Sequence, residues 1–259
     1  MSKQRPSVQD KGVWENRGWE NKGQEVPASP GQECLRVPRV EFSVGIDLVI
    51  FSVDHDQNCL LVLLGRSPQA RGWALPGSGV GPGESLQAAA YRIVSETIQV
   101  QNLYLEQLYS FDEPLRSQPS ESRRYLSVSY FALVRYEEAP LRSESVAWHV
   151  LNSPIQFQAH HQEIVQYGYQ RLRNKVAYSP IAFDVLPVQF TLHDLYQFYC
   201  AILGDGFADY SNFRSKLLKL GFLRDTGEKL IRGAGRPASL FQFDREAFAP
   251  FQDQPLVFV

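Results

Sequence analysis

Two apolar runs joined by a short polar turn set the tightest limit on how this chain can fold. Residues 44–53 are mostly β-branched and aliphatic, His55-Asp56-Gln57-Asn58 turns the chain, and residues 59–64 form the second run. Runs this short and this close in sequence read as a hairpin in a buried sheet. A Gly- and Pro-rich loop at residues 72–83 then opens into a helical stretch from Glu84 to about Ile98. Further strands are expected near residues 103–111, 125–135 and 146–151, and a helix near 160–176 that ends before Pro180. Mixed strands with interspersed helices predict a sandwich of the α/β or α+β kind, and the chain as a whole is read as α+β.

After Pro187 the pattern changes. Thr191-Leu192-His193-Asp194 has the form of a helix start, and Leu192, Leu195, Phe198, Tyr199 and Ile202 supply a helical stripe that stops at Gly204. A second helix is expected from about Asp209 to Leu220. Two β-like runs, residues 229–231 and 239–243, flank Gly233-Ala234-Gly235-Arg236-Pro237. Helix, helix and hairpin in that order make a winged helix, with a boundary near residue 178. Residues 1–40 differ from both parts. They are rich in Gln, Gly, Pro, Glu, Asn and Lys and carry an imperfect duplication, Trp14-Glu15-Asn16 and Trp19-Glu20-Asn21. Too little apolar surface is present there to offset the entropy of ordering, so disorder is expected, with a Trp docking motif as the lesser reading. The predicted segments are therefore 1–40, 41–178 and 179–259.

At 259 residues, 44% apolar and 21% charged, the composition is that of an ordinary globular protein. Its net charge of −2 names no partner, because an average can hide a basic part beside an acidic one. Cys34, Cys59 and Cys200 follow no metal-ligand spacing and read as reduced thiols. No apolar run approaches about 20 residues and no signal-peptide core is visible, so a cytoplasmic protein without a membrane span is expected.

The segment Pro76-Gly77-Ser78-Gly79-Val80-Gly81-Pro82-Gly83-Glu84, leading into Ala88-Ala89-Ala90-Tyr91-Arg92, resembles the Nudix box: Gly, five residues, Glu, seven residues, then Arg-Glu-aliphatic-x-Glu-Glu-x-Gly-aliphatic. Glu84, Arg92, Val94, Glu96 and Val100 match it. Ser78 stands at the first Gly, Ile93 at the Glu after Arg, Thr97 at the second Glu of the pair, and Gln99 at the later Gly. On a helix, carboxylates at 93, 96 and 97 would converge and give magnesium its oxygen ligands. Only Glu96 remains, which with a phosphate would support weak magnesium binding at most. The box is read as kept for shape, with Glu84 and Arg92 paired to hold the loop against the helix.

A loop before an Ala-rich helix is also what a plain strand-to-helix connection looks like. Against that stand Gly72-Trp73-Ala74-Leu75-Pro76-Gly77 ahead of the box, and residues 105–111 and 126–133 after it, which resemble ADP-ribose-type Nudix domains and their regulator relatives. With the second part included, residues 42–245 resemble the Nudix-related transcriptional regulators of NAD metabolism, with sugar-pathway regulators as cousins. The resemblance implies a Nudix α/β/α sandwich that senses ADP-ribose or a related nucleotide, followed by a DNA-binding winged helix. Such a ligand needs cations for its pyrophosphate and an aromatic face for its base. Arg66 is the first candidate, then Arg116 and Arg124, with Phe111 and Tyr130 for stacking. A lone Arg is more often solvated and a strand aromatic more often core. His160 and His161 point to different sides of a helix with no completing ligands, so a structural or pocket-lining role is expected.

From Asp209 to Arg236 there are seven Lys or Arg (Arg214, Lys216, Lys219, Arg224, Lys229, Arg232, Arg236) against three acids (Asp209, Asp225, Glu228). On the second helix Phe213, Leu217 and Leu220 share one face, while Asn212, Ser215, Lys216 and Lys219 fall opposite. An apolar stripe that anchors and a polar, cationic face are what a recognition helix needs. Ser211, Asn212, Arg214, Ser215, Lys216, Lys219 and, in the wing, Arg236 are the DNA-binding candidates. Palindromic duplex sites and a homodimer are the expected partners. Three readings compete: a ligand-controlled DNA-binding regulator without hydrolase activity, read as a repressor with activation left open, an active ADP-ribose pyrophosphatase with an accessory domain, and a scaffold for protein interactions. Ile93 and Thr97 count against the second.

Overall fold

A computed structural model of the protein describes residues 41–66, 71–100, 103–113, 123–158, 160–204, 206–207, 209–232, 236–252 and 254–256. The disorder expected of residues 1–40, the candidate Arg116 and the wing tip 233–235 lie outside the described residues.

The two apolar runs form the hairpin β1 (Glu41–Asp54) and β2 (Cys59–Gly65), in register from Ile50↔Leu63 to Asp54↔Cys59. Along its other edge β1 runs parallel to β5 (Arg123–Leu133), which pairs antiparallel with β4 (Tyr104–Glu113). Strand β6 (Val146–Val150) closes the far side of β2, so the order is β4-β5-β1-β2-β6. Inside the Gly-rich loop a short strand not foreseen from sequence, β3 (Gly77–Gly79), pairs with Gly45–Asp47 of β1. A Cβ on Gly77 would lie 2.4 Å from the Asp47 carboxylate, so only glycine allows the loop this close.

Because side chains alternate across a strand, β1 feeds two cores. Ile46, Leu48 and Ile50 face one side with Val128 and Ala132, and are covered by Ala89, Ala90, Ile93 and Val94 of helix α1 (Leu86–Thr97). Val49, Phe51 and Val53 face the other side, beneath Ile164, Val165, Leu172 and Val176 of helix α2 (His161–Val176). Ser85 caps α1, which therefore starts just after Glu84.

The second core does not stop at the boundary read near residue 178. It continues into α3 (Ile181–Val185), a five-residue helix squeezed between Pro180 and Pro187, and into α4 (Leu192–Leu203). Thr191 and Asp194 make a reciprocal capping box at the start of α4, where the sequence placed a helix start. Helix α5 (Tyr210–Lys219) follows, capped by Asp209. The hairpin is longer than the two β-like runs suggested. Strand β8 spans Leu223–Leu230 and pairs with β9 (Ala238–Phe243), which also pairs with the two-residue β7 (Phe190–Thr191). A register shift between Asp225 and Lys229, with Gly227 at φ 77°, lets a turn-like sequence stay inside the strand. Helix α6 (Arg245–Phe248) and a 3-10 turn at Ala249–Phe251 follow, and buried Leu256 donates its amide to the Ala177 carbonyl at 2.7 Å.

Candidate functional site

The Gly-rich loop is fastened to α1 by a fork. Arg92 donates Nε to Glu84 Oε1 at 2.8 Å and Nη2 to Glu84 Oε2 at 3.0 Å, while Glu84 Oε2 also accepts the Gly81 amide at 2.8 Å. Nη2 reaches the Gly79 carbonyl as well, at 3.0 Å. Two parallel charge-assisted bonds fix distance and angle together, so the loop is held in one shape. The Arg92 hydrogen bonds, then the Gly81 amide, hold the Glu84 carboxyl down at about 2. The pairing expected of these two residues is what the structure contains.

The other box positions do not fit a magnesium cradle. Ile93 is buried in the core under the sheet, and buried Thr97 donates its hydroxyl to the Ile93 carbonyl at 2.6 Å. Glu96 points outward, largely exposed, with its nearest cation Arg92 at 3.5 Å. Hard divalent cations require several converging oxygens, and here one carboxylate stands on the outer face while the other two positions hold an aliphatic chain and a hydroxyl already bonded to the backbone.

A narrow cleft, with internal room for about one water, lies on the opposite face of the sheet toward the end where β1 and β5 begin. Asp47, Tyr125 and Ser127 come from these strands, Phe111 from β4, and His160, His161 and Ile164 from the start of α2. Buried Asp47 accepts the Ser127 hydroxyl at 2.5 Å, and His161 Nδ1 accepts the Leu75 amide at 3.2 Å. His161 thus holds the loop ahead of the box and lines the cleft, as its position suggested. Outside Phe111 two exposed rings complete an aromatic group. Tyr109 lies 5.5 Å from Phe111 and 5.6 Å from Tyr167, centroid to centroid.

The structure separates the sequence's stacking candidates. Phe111 lines the cleft, whereas Tyr130 is buried on the α1 side and donates to Gln107 Oε1 at 3.3 Å. They cannot clasp one base, and Tyr130 is a core residue. Arg124 stands near the same end of the sheet but on its α1 face, because Tyr125 and Ser127 take the cleft side and side chains alternate; it lies 5.5 Å over the Phe42 ring, ion-paired with Asp112, and does not line the cleft. Arg66 is exposed at the end of β2, 5.8 Å over the Trp73 ring. Asp47, Tyr125, Ser127, Tyr109 and Tyr167 were not singled out from sequence. Only the parallel pairing of β1 with β5 makes the first three neighbours.

In the second module Phe213 and Leu217 are buried while Ser211, Asn212, Arg214, Ser215, Lys216 and Lys219 are all exposed, which is the division read from helical periodicity. An open cleft between α5 and the wing is bordered by Arg214, Lys229, Arg236, His193 and Tyr210. The seven cations are not equally available. Arg232 is paired with buried Asp194 at 2.6 Å and Arg224 with Asp244 at 2.8 Å, so two of them brace the fold.

Residues 42–167 match the model of the NUDIX domain, and residues 178–259 that of the AraR C-terminal winged HTH domain. Over 206 residues the chain is 32% identical to the ADPR responsive transcriptional repressor NtrR of Acinetobacter baylyi, covering 76% of this chain and 80% of that protein. Among solved structures, Shewanella oneidensis NrtR complexed with a 27mer DNA superposes with a TM-score of 0.65 at 27% identity, covering 82% of this chain and 99% of that one. A MutT/nudix family protein from Enterococcus faecalis shares the fold at a TM-score of 0.58 and 22% identity, over 85% of this chain and 89% of its own.

Proposed function

The chain belongs to the Nudix-related transcriptional repressors, and from that membership we infer that it is a DNA-binding repressor whose Nudix module receives ADP-ribose or a related nucleotide. One observation carries the reading: a Nudix box that keeps its loop clamp, Glu84 with Arg92, but has Ile93 and Thr97 at metal positions, is fused to a winged helix exposing Asn212, Lys216 and Lys219. The first half is built to hold a ligand without cutting it, and the second to read duplex DNA.

In this reading the nucleotide lies at the mouth of the cleft. Its base stacks on the Tyr109, Phe111 and Tyr167 group, and its pyrophosphate is met by Arg66, with Arg116 a candidate on sequence alone. Helix α5 enters the major groove with Ser211, Asn212 and Ser215 toward base edges. Lys216, Lys219, Arg214 and, from the wing, Arg236 neutralise phosphates. A cytoplasmic homodimer on a palindromic operator in genes of NAD metabolism completes the proposal, because two-fold protein symmetry matches two half-sites. We propose no cofactor beyond the nucleotide effector. Any magnesium held by Glu96 and a phosphate would be weak.

Two measurements test it. Fluorescence anisotropy on duplexes from the regions upstream of NAD-metabolism genes and of its own gene should show salt-sensitive binding that ADP-ribose weakens. Incubation of ADP-ribose with magnesium and the purified protein should release no AMP. Turnover would favour the pyrophosphatase reading, and indifference to both DNA and ADP-ribose would leave a scaffold.

A further inference from the structure

The nucleotide cleft and the DNA-reading module sit at opposite ends of the same elements. Strand β5 places Tyr125 and Ser127 in the cleft, and the chain leaving its other end carries Arg135, roughly 25 Å further along an extended chain. Helix α2 begins at the cleft with His161 and Ile164 and carries Tyr169 two turns later.

Both Arg135 and Tyr169 end on the same kind of acceptor. A helix leaves its last four carbonyls without partners inside the helix, and something outside must satisfy them. Arg135 donates Nε to Val185 O at 2.8 Å and Nη2 to Leu186 O, which are the closing carbonyls of α3. The Tyr169 hydroxyl donates to Ile202 O at 3.0 Å, in the last turn of α4. Side chains of the Nudix module therefore cap two helices of the winged-helix module. The guanidinium also brings positive charge to the negative end of its helix. Helix α4 in turn packs on α5 through Tyr196 and Phe213, 5.4 Å apart. These contacts form an unbroken line from β5 and α2 at the cleft to α5.

We propose that Arg135 and Tyr169 are the positioning residues through which nucleotide binding alters DNA affinity. Tyr169 is on an element that lines the cleft and Arg135 is two residues past the end of another, and each holds the C-terminal end of a helix in the DNA reader. The proposal rests on the regulatory reading above and adds the parts that would carry it. The shared core holds the modules together without direction, whereas directional bonds to two helix ends fix an angle, and a reader in half-site register depends on angle.

The test uses the full chain as wild type, Tyr169→Phe, Arg135→Met and the double variant. DNA affinity is measured by anisotropy with and without saturating ADP-ribose, and ADP-ribose affinity by calorimetry. Effector coupling in such proteins is typically about 5–150-fold. In the wild type ADP-ribose should weaken DNA binding at least about tenfold within that span. Tyr169→Phe keeps the ring and its packing, so that variant stays folded, and it should cut the factor several-fold. The double variant should bring it below about twofold, close to the value of one that means no coupling. Both separate affinities should stay near wild type. A double variant that keeps the full factor overturns the proposal, and so does one in which both affinities fall together while their ratio is unchanged. Wild-type DNA binding that ignores ADP-ribose would sink the regulatory reading itself, and the latches with it.

Discussion

Glu84 and Arg92 show how much one pair can settle. Eight positions apart across a loop and a helix start, they close a fork that shapes the whole Gly-rich segment, and their chemistry makes the partnership legible in the sequence. With its carboxyl held at about 2 against an ordinary 4.5, Glu84 makes stability depend on acid in a definable window. A depressed pKa means that the unfolded chain binds the proton first. The stabilisation is complete above about pH 5 and drains away as pH falls toward 2. Glu84→Gln should be the less stable protein at neutral pH, and the gap to wild type in thermal melts should close between pH 5 and pH 2. A gap independent of pH would mean that the fork does not hold the loop. Asp47 was illegible for the opposite reason. A single Asp in an apolar run says only that the strand has a polar spot. Its partner Ser127 is 80 positions away and is found only through the pairing of β1 with β5.

At the scale of elements, strong periodicity was readable and short or irregular pieces were not. The stripe of α4 and the two faces of α5 gave helices within a residue or two of those observed. α3 has only five residues between two prolines, too few for a period to register, and β8 hides a bulge behind a sequence that looks like a turn. The α5 surface leads to a quantitative expectation. Every cation withdrawn from a DNA phosphate flattens log K against log salt by about 0.9. Lys216→Ala with Lys219→Ala should therefore make that slope shallower by roughly 1–2 per protomer while α5 stays folded, since both side chains are exposed. An unchanged slope would move the DNA interface elsewhere. Helix α2 makes a second test. It touches the sheet through Gly168, where an added Cβ would lie 3.3 Å from both Val49 methyls and 3.4 Å from Leu108. Gly168→Leu should cost about 1–3 kcal/mol in urea unfolding, because the helix must lift from the strand that it shields. A variant as stable as wild type would show that this packing has slack.

For the whole molecule the consequential fact is that no break in the apolar core separates the two modules. Phe51 and Val62 of the sheet, Leu172 and Val176 of α2, and Leu195, Phe198 and Tyr199 of α4 belong to one continuous cluster. The sequence suggested two parts joined near residue 178, since a change of pattern is visible in one dimension and shared packing is not. Each large side chain in that seam contributes roughly 1.5–3 kcal/mol by leaving water. Opening the seam would therefore cost an amount comparable to the stability of an entire small domain. The modules should melt together. Calorimetry on the full chain is expected to give a single transition for residues beyond the N-terminal segment, and ADP-ribose should raise it as a unit. Residues 179–259 produced alone should unfold well below that temperature, because Leu195, Phe198 and Tyr199 would lose the partners that α2 and β2 supply. Two separate transitions, with only the earlier or the later moved by ADP-ribose, would describe tethered modules that bind independently. A sensor can bias a reader only when the two share one folded state to be shifted, so the shared core makes regulation through this fold physically possible.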